Sequence, residues 1–314
     1  MKYLLNTCTD PHWNMAHDEF LLEGLQEKVF CLWQNRPSVI IGLNQSAPAE
    51  VNLKYLEENN ITLARRVTGG GAVYHDLGNL NYTIAGPSRE LENDYGLMAE
   101  TLRKLGVPAE RSGRNDILVE GRKCSGYAKR LSKDRMMIHG TLLWNVNLEV
   151  LTQALQVPGS KLQAAGITSV HSRVVNLKEY LPQFCRIQEF QAALQDILAE
   201  GDPMITLSQE QLRSIDQMAD EKFRRWEWIY GHSPSASFQS SRKFACGTVQ
   251  VLYTLKHGVF ESLTFSGDFL GNRPAEELAR QLIGMRIEDI GTLPISHYFD
   301  QLTAQEFITL FQEI

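Results

Sequence analysis

Three consecutive glycines at residues 69–71 interrupt a β-rich part of the chain and constrain its fold more than any other feature. Strand-like runs surround them at 63–67, 72–75 and 80–84. Backbone N–H groups in such a run can approach an anion closely, because no side chain intervenes. The run is neither a P-loop nor a G-x-G-x-x-G motif, since no Gly-Lys-Ser/Thr follows it and no helix opens. We therefore predict a loop between strands that binds a phosphate or a carboxylate.

Polar residues crowd the same stretch, residues 65–79. Arg66 precedes the glycines and adds a planar charge suited to a phosphate. A glycine hairpin with a solvated arginine is the alternative interpretation. The combination of Arg, Gly, His and Asn in one short stretch favours the binding loop. The stretch includes Arg66, Gly69, Gly70, Gly71, Ala72, Val73, Tyr74, His75 and Asn79.

A second polar cluster combines Asn115 and Asp116 with Lys123. Asp116 opens a strand-like run, and a second strand after the turn at 120–121 would bring Lys123 back beside it. A lysine in that position can meet both a carboxylate and a phosphate. Taken singly, Asp116 is equally an ordinary turn residue, and Lys123 an ordinary surface lysine of a hairpin.

His139 lies in a strand-like run beside the small residues Gly140 and Thr141. Small neighbours are typical of a place where the backbone passes close to a ligand. The alternative is a core histidine bonded to the backbone. Residues 166–170, together with Arg173, form a further candidate for a loop beside a ligand. The sequence alone does not decide whether this loop binds one.

Charge and cysteine usage exclude several classes of protein. The 31 basic and 37 acidic residues give a formal net charge of −6, and no block of Lys and Arg supplies the footprint of a nucleic-acid binder. No signal-peptide pattern and no membrane-spanning apolar run is found, so we expect a cytosolic protein without a membrane partner. The five cysteines are widely spaced and form no C-x-x-C pair, which predicts reduced thiols rather than disulfides or a structural zinc site.

Helix start signals occur in both halves of the chain. Asp10 and Pro11 predict the N-cap and first residue of a helix that runs to about Gln26. Ser208 and Gln211 predict the capping box of another helix. Strands and helices do not alternate regularly, which favours an α+β fold with a mixed sheet over a doubly wound one.

Composition also predicts a domain boundary. From about residue 231 to residue 241 the chain is rich in Gly, Ser, Pro and Ala and almost free of charge, as in a linker. We therefore predict a first domain over 1–241, which includes this linker, and a second domain over 242–314. The second domain shows two strand patterns followed by two helix patterns.

Four of these motifs, in this order and spacing, closely resemble those of the lipoate-protein ligase A family, and the likeness extends over essentially the whole chain. The resemblance implies a catalytic domain of the biotin/lipoate-ligase fold and a small α+β accessory domain. It also implies two steps: lipoate and ATP give lipoyl-AMP and pyrophosphate, and a lysine of a lipoyl carrier domain then takes the acyl group. The implied carriers are E2 subunits of 2-oxoacid dehydrogenases or the glycine cleavage H protein. The four motifs are residues 65–79, 113–116, 122–126 and 139–143.

The resemblance further implies roles for individual residues. Residues 70–74 line the nucleotide site with Arg66 on the phosphate, and Lys123 neutralises both the lipoate carboxylate and the phosphate. Asp116 orients Lys123 or helps to hold Mg²⁺, and no firm metal site is expected. The lipoyl chain occupies an apolar tunnel. Its expected neighbours are His75, Asn79 and His139, with Gly126 and Ala128 leaving room, and the remaining expected binding residues are Asn115, Ser125 and Thr141.

Two residues depart from the family pattern, and alternatives stay open. Thr68 stands where a serine is usual, and Cys124 replaces an aliphatic residue. A lipoyl or octanoyl amidotransferase shares the fold but omits the ATP step, and its thioester-forming branch needs a nucleophilic cysteine. A non-catalytic protein that binds lipoate or a carrier is the third interpretation. A biotin ligase would need a different glycine motif around the nucleotide.

Overall fold

A computed structural model of the chain describes residues 1–92, 94–112, 115–155, 173–233 and 236–312. These ranges contain one eight-stranded mixed sheet, two three-stranded sheets and helices around them, so the predicted α+β class is confirmed. The candidate loop at 166–170 lies outside the described residues, whereas Arg173 lies within them.

The strands keep close to the predicted runs. In chain order they are β1 (Lys2–Leu5), β2 (Val29–Trp33), β3 (Ser38–Ile41), β4 (Thr62–Arg65), β5 (Val73–His75), β6 (Asn79–Pro87), β7 (Ala109–Ser112), β8 (Asp116–Val119), β9 (Arg122–Ser132), β10 (Arg135–Leu143), β11 (Met204–Ile205), β12 (Ala236–Phe244), β13 (Gly247–Lys256) and β14 (Val259–Gly267).

The helices are mostly short. In chain order they are α1 (Pro11–Gly24), α2 (Ala47–Glu50), α3 (Leu53–Glu58), α4 (Ser88–Leu91), α5 (Leu97–Lys104), α6 (Leu148–Ala154), α7 (Ile187–Ala199), α8 (Gln209–Met218), α9 (Trp226–Ile229), α10 (Ala275–Leu282) and α11 (Ala304–Gln312). Within the described ranges, none is long and apolar enough to cross a membrane.

The large sheet has the order β11-β1-β2-β6-β10-β9-β8-β7. Strand β1 runs parallel to both of its neighbours, and the other pairs are antiparallel. Strand β2 is buried on both faces, because successive side chains alternate between two cores. Phe30 and Leu32 join the core that packs against α5 and α7, whereas Cys31 and Trp33 join the core beneath α1. The candidate site lies on the α1 side.

Helix α1 is held at both ends. The Asp10 carboxylate accepts a hydrogen bond from the backbone N–H of His12 at 3.0 Å, which confirms the predicted N-cap. The helix ends at Gly24 rather than at Gln26. The Arg135 guanidinium on β10 donates to the carbonyl of Leu22 in the last turn of the helix and to the carbonyl of Gln26 just beyond it. These bonds fix α1 across the large sheet. The capping box of Ser208 and Gln211 on α8 is also present.

The first three-stranded sheet positions the glycine run. Its order is β4-β3-β5, with β4 parallel and β5 antiparallel to the central strand β3. Residues 66–72, called the glycine loop below, therefore cross from one edge of this sheet to the other. Because β4 and β5 do not pair with each other, the glycine-hairpin alternative is wrong.

The C-terminal unit has a sheet of three strands, not two. Strand β12 starts at Ala236 and pairs with β13, so residues 236–241 belong to the sheet and a boundary at 241 would cut a strand. Low charge suggested a linker, but Phe238 points into the core while Ser237 and Gln239 are exposed. This alternation is that of a strand with one solvated face. The unit has its own hydrophobic core, which includes Tyr253 and Phe307.

The end of the first unit is anchored by Arg65. This side chain is fully buried and donates hydrogen bonds to the carbonyls of Trp228 and Ile229 and to the hydroxyl of Ser233. Residues up to Ser233 are thus tied to β4. We propose the domain division just after Ser233.

Candidate functional site

A single cavity of about 120 Å³ gathers most of the predicted site residues. The predicted residues that line it are Arg66, Gly69, Gly70, Gly71, Ala72, Val73, His75, Asn115, Lys123, Gly126, Ala128, His139 and Thr141.

Arg66 forms the inner support of the glycine loop. It is only 7% exposed, so the alternative of a solvated arginine is wrong. Its Nη2 donates to the carbonyls of Gly69 and Gly71 at 2.8 Å each, and its Nη1 donates to the carbonyl of Ile40 at 3.0 Å. Burial lowers the pKa of Arg66 to about 10, which leaves it charged at neutral pH. Direct contact between Arg66 and a phosphate stays a prediction.

The loop carbonyls that face Arg66 leave the amides free for a ligand. Among the contacts of the described residues, no protein acceptor bonds the backbone N–H groups of residues 69–72. Consecutive free amides at the edge of a cavity form a site for an anion. Gly70 has a φ of +97°, and a Cβ added there would lie 2.9 Å from Arg66 Nη2. The loop therefore needs glycine at this position.

Lys123 and Asp116 meet as predicted, with 2.8 Å between Nζ and Oδ1. A bulge in the pairing of β8 with β9 makes this contact, because Ile117 pairs with Ser125 while Leu118 pairs with Lys123. The Lys123 side chain therefore lies over Gly126, where an added Cβ would approach Nζ to 2.9 Å. Asp116 supports the lysine and does not itself line the cavity.

His139 is held by side chains, not by the backbone. Its Nδ1 lies 2.6 Å from Asp18 Oδ2, and its Nε2 lies 2.7 Å from Thr68 Oγ1. The alternative of a core histidine bonded to the backbone is therefore wrong. Beside it, a Cβ at Gly140 would come within 2.6 Å of the Tyr82 ring, so only glycine fits there.

His75 presents a donor to the cavity. Asn35 Nδ2 lies 3.1 Å from His75 Nδ1, and an amide nitrogen can only donate, so the ring proton sits on Nε2. Among the described residues, Nε2 is buried without a hydrogen-bond partner. Burial, reinforced by the charge of Arg66, lowers the pKa of His75 to about 3, which keeps the ring neutral. A ligand acceptor would satisfy this N–H group.

Three other predicted binding residues lie outside the cavity lining. Tyr74 packs into a hydrophobic core on the opposite face of β5 from Val73 and His75, as strand alternation requires. Asn79 is the first residue of β6 and lies outside the cavity, which Asn81 reaches two residues later on the same strand. The Asn79 amide donates instead to Asn81 Oδ1 at 2.9 Å. Ser125 is fully buried next to the bulge. Direct ligand contact by these three side chains has no support in this geometry.

The lining also contains residues that the motifs do not include. Met15 comes from α1, Trp33 from β2 and Ile40 from β3, and all three make the inner part of the cavity apolar. These three residues are uncharged and lie far in sequence from the glycine loop, so no sequence motif identified them as part of the site. Asn81 and Tyr127 also line the cavity outside the motifs, and Gly140 of the 139–143 motif lines it beside His139. Asn81 was detectable in principle, since it lies two residues after Asn79 on the same strand face.

The positions of the cysteines and of possible metal ligands limit the chemistry of the cavity. Cys124 is fully buried, its Sγ lies 3.4 Å from the carbonyl of Ile117, and burial raises its thiol pKa to about 12. All five cysteines are free thiols, as predicted, and none lines the cavity. Within the described ranges, no three His, Cys, Asp or Glu side chains gather to hold a metal ion. Asp116 alone suits an ion held mainly by nucleotide phosphates and water.

Two family models match the chain. One, described as "Lipoyl protein ligase A/B catalytic domain", matches residues 10–199, and the other, "Bacterial lipoate protein ligase C-terminus", matches residues 233–311. Lipoate-protein ligase LplJ of Bacillus subtilis is 35% identical over 96% of this chain and 96% of its own. Lipoate-protein ligase 1 of Staphylococcus aureus is 36% identical over 99% of each chain.

Solved structures agree with these relatives. A bipartite lipoate protein ligase of Thermoplasma acidophilum, studied with its E2 lipoyl domain, superposes with a TM-score of 0.67 at 28% identity, over 74% of this chain and 96% of that one. A lipoate-protein ligase A bound with ATP superposes with a TM-score of 0.65 at 27% identity, over 74% of this chain and 98% of that one. A putative lipoate protein ligase of T. acidophilum with bound lipoic acid superposes with a TM-score of 0.64 at 27% identity, over 73% of this chain and 98% of that one.

Proposed function

The chain belongs to the lipoate-protein ligase family, and from this membership we propose that it activates lipoate with ATP and attaches it to a lysine of a carrier protein. One observation carries the proposal: the free amides of the glycine loop, the Lys123 ammonium and an apolar end lined by Trp33 share one cavity. A lipoyl-AMP molecule has the matching parts, which are a phosphate, an acyl carbonyl and an apolar chain that ends in a dithiolane.

In the first step, a carboxylate oxygen of lipoate forms a bond to the α-phosphorus of ATP, and the bond to the β-phosphate oxygen breaks. The products are lipoyl-AMP and pyrophosphate. Two anions must approach each other, so the protein acts chiefly by positioning and by electrostatic stabilisation. Lys123 supplies a mobile positive charge between them, and the amides of residues 69–72 supply fixed donors.

Asp116 keeps Lys123 directed over Gly126 before the anions bind. When both anions are present, the lysine exchanges this single carboxylate for two partners, the lipoate carboxylate and the α-phosphate. Mg²⁺, which ATP commonly carries, would be held by the phosphates with Asp116 as the protein carboxylate, and it would neutralise part of the phosphate charge. The buried N–H of His75 offers a further donor inside the cavity.

In the second step, the amine of a carrier lysine attacks the acyl carbon of lipoyl-AMP, an amide bond forms and AMP leaves. The amine must lose its proton to act as a nucleophile. We propose a lipoyl domain as the carrier, because a related ligase was studied with an E2 lipoyl domain. An H protein of glycine cleavage is the second expected carrier.

The alternatives have less support. A transferase that forms a thioester needs a reactive cysteine, yet none of the five cysteines lines the cavity, and Cys124 has a raised thiol pKa. A non-catalytic binding protein would not need a lysine poised between two anion positions.

The deciding measurement is lipoate-dependent exchange of labelled pyrophosphate into ATP. We expect exchange that requires lipoate, followed by lipoylation of an added E2 lipoyl domain. Exchange that is absent, together with acyl transfer from an octanoylated carrier, would replace the ligase by an amidotransferase. Absence of both activities, with tight lipoate binding, would leave a binding protein.

A further inference from the structure

Asp18 on α1 receives two hydrogen bonds although it lies away from every predicted motif. Its carboxylate is fully buried. Oδ1 accepts from the Thr83 hydroxyl at 2.7 Å, and Oδ2 lies 2.6 Å from His139 Nδ1. The Thr83 oxygen in turn accepts from Trp33 Nε1 at 2.9 Å. A buried carboxylate is stable only with partners of this kind.

The same chain of contacts continues to the glycine loop. His139 Nε2 lies 2.7 Å from Thr68 Oγ1, and Thr68 is 2% exposed. Arg66 Nε donates to Thr68 Oγ1 at 3.1 Å. Since Arg66 also holds the carbonyls of Gly69 and Gly71, a continuous network joins α1 to the loop that borders the cavity.

The position of each hydrogen in this network follows from the number of donors and acceptors. Thr68 Oγ1 accepts from Arg66, so its own hydrogen needs an acceptor. Among the described residues, the acceptor within reach is His139 Nε2, which must then carry no proton. The ring proton therefore sits on Nδ1 and is donated to Asp18. A doubly protonated ring would leave the Thr68 hydrogen unpaired in a buried position.

We propose that Asp18 is a positioning residue for the adenylation step: it selects the Nδ1–H form of His139 and thereby fixes Thr68, Arg66 and the glycine loop. The hydrogen bonds from Arg66 Nε through Thr68 and His139 all run toward its carboxylate, and so do those from Trp33 through Thr83. Its charge therefore aligns these donors in one direction. The frame is rigid, because Arg135 on the same strand as His139 also bonds the carbonyl of Leu22 on α1. The inference rests on the proposed function, since the loop is assigned to the nucleotide.

Asp18→Asn keeps the shape of the side chain but replaces one acceptor oxygen with a donor, so the hydrogen bonds of the network can no longer all run toward residue 18. If the Asn oxygen faces His139, its amide faces Thr83, whose hydrogen then has no acceptor. If the amide faces His139, the ring proton must move to Nε2 and the Thr68 hydrogen is unpaired. Either arrangement is unfavourable, and we expect at least about a tenfold loss in kcat/KM for ATP in pyrophosphate exchange.

The first measurement is the nitrogen-15 spectrum of the histidine rings in the full-length protein, with His139 assigned by comparison with His139→Gln. We expect the neutral Nδ1–H form in the wild type and its loss or mixture in Asp18→Asn. A wild-type His139 that is protonated on Nε2 would overturn the proposal, whatever the activity. This readout does not depend on the reaction.

The second measurement compares three hydroxyl variants. Thr68→Val keeps the shape but loses the hydroxyl and should lower kcat/KM for ATP at least about tenfold, whereas Thr68→Ser should restore the rate to within about twofold. Thr101→Val is the matched control, because Thr101 is 1% exposed, its hydroxyl donates to the Leu97 carbonyl, and neither residue lines the cavity. Normal ATP kinetics in Thr68→Val would overturn the proposal even if Asp18→Asn failed to fold. Wild-type protein without any exchange would instead refute the proposed function.

Discussion

Lys123 Nζ lies 2.8 Å from Asp116 Oδ1, and the contact exists because the β8–β9 pairing contains a bulge next to Cys124. A regular pairing would place successive side chains on alternate faces and direct the lysine differently. The backbone of Lys123 is fixed as well, since its N–H donates to the carbonyl of Arg173 at 2.7 Å. A rigid backbone thus carries a side chain that is 38% exposed and can leave Asp116 for a ligand.

Lys123→Ala should abolish adenylation with little loss of stability. An ion pair this exposed contributes at most about 1 kcal/mol to folding, whereas its charge is needed when two anions meet. Lipoyl-AMP formation and thermal melting measure the two effects. Lys256→Ala is the matched control, because Lys256 forms an exposed pair with Glu261 at 3.1 Å in the C-terminal unit. A lysine variant that still makes lipoyl-AMP would remove Lys123 from the mechanism.

Gly70→Val should weaken adenylate binding more than lipoate binding. The new side chain meets Arg66 Nη2 and strains a backbone with φ of +97°. Gly106→Val is the control, since Gly106 has a φ of +94° but nothing within 4 Å, so it shares the strain without the cavity. Calorimetry with a non-hydrolysable lipoyl-AMP analogue should give at least about a tenfold weaker affinity for Gly70→Val alone. Equal losses for the analogue and for lipoate would argue against a phosphate loop.

Cys124→Ser should keep most of the ligase activity and form no acyl-enzyme. Burial raises the thiol pKa to about 12, so the nucleophilic thiolate is scarce at neutral pH. A serine hydroxyl can still donate to the carbonyl of Ile117, the present partner of Sγ. Mass spectrometry of the wild type after incubation with lipoate and ATP tests the point. A lipoyl thioester on Cys124 would move the protein to the transferase class.

His17 should make the fold sensitive to acid. Burial lowers its pKa to about 4, so the unfolded chain takes up a proton that the folded chain refuses. The free energy of unfolding should therefore fall as the pH drops from about 6.5 to 4, by at most about 1.4 kcal/mol per pH unit from this group. In urea titrations His17→Leu should flatten this dependence, whereas His297→Leu, at an exposed position, should not. Identical pH dependence in all three proteins would contradict the assignment.

A chain that ends after Ser233 should fold and make lipoyl-AMP but transfer the lipoyl group slowly. The hydrogen bonds from Arg65 to Trp228, Ile229 and Ser233 all remain, and the removed unit has a separate core. We expect the C-terminal unit to close over the adenylate or to dock the carrier. Adenylation and transfer from supplied lipoyl-AMP should be measured separately against the full-length protein. Full-length rates in both steps would exclude this role, and loss of folding would refute the boundary.

Local sequence patterns determined most elements of this protein. The N-cap at Asp10, the capping box at Ser208 and the glycine loop each follow from residues close together in the chain. The short turn between β8 and β9 brings Asp116 and Lys123 near each other, whereas the bulge that directs the lysine to the carboxylate has no such local signal. Backbone preferences and short-range hydrogen bonds act over a few residues, so a sequence read alone carries them.

The tertiary structure decided what the loop bonds and what lines the cavity. Asp18 meets His139, and Trp33 joins the same network through Thr83, only because the order of strands in the large sheet brings them together. Arg66 turns inward because β3, the central strand of the first three-stranded sheet, offers it the carbonyl of Ile40. A side chain satisfies its hydrogen bonds with whichever groups packing places nearby, and neither charge nor spacing along the chain specifies those partners.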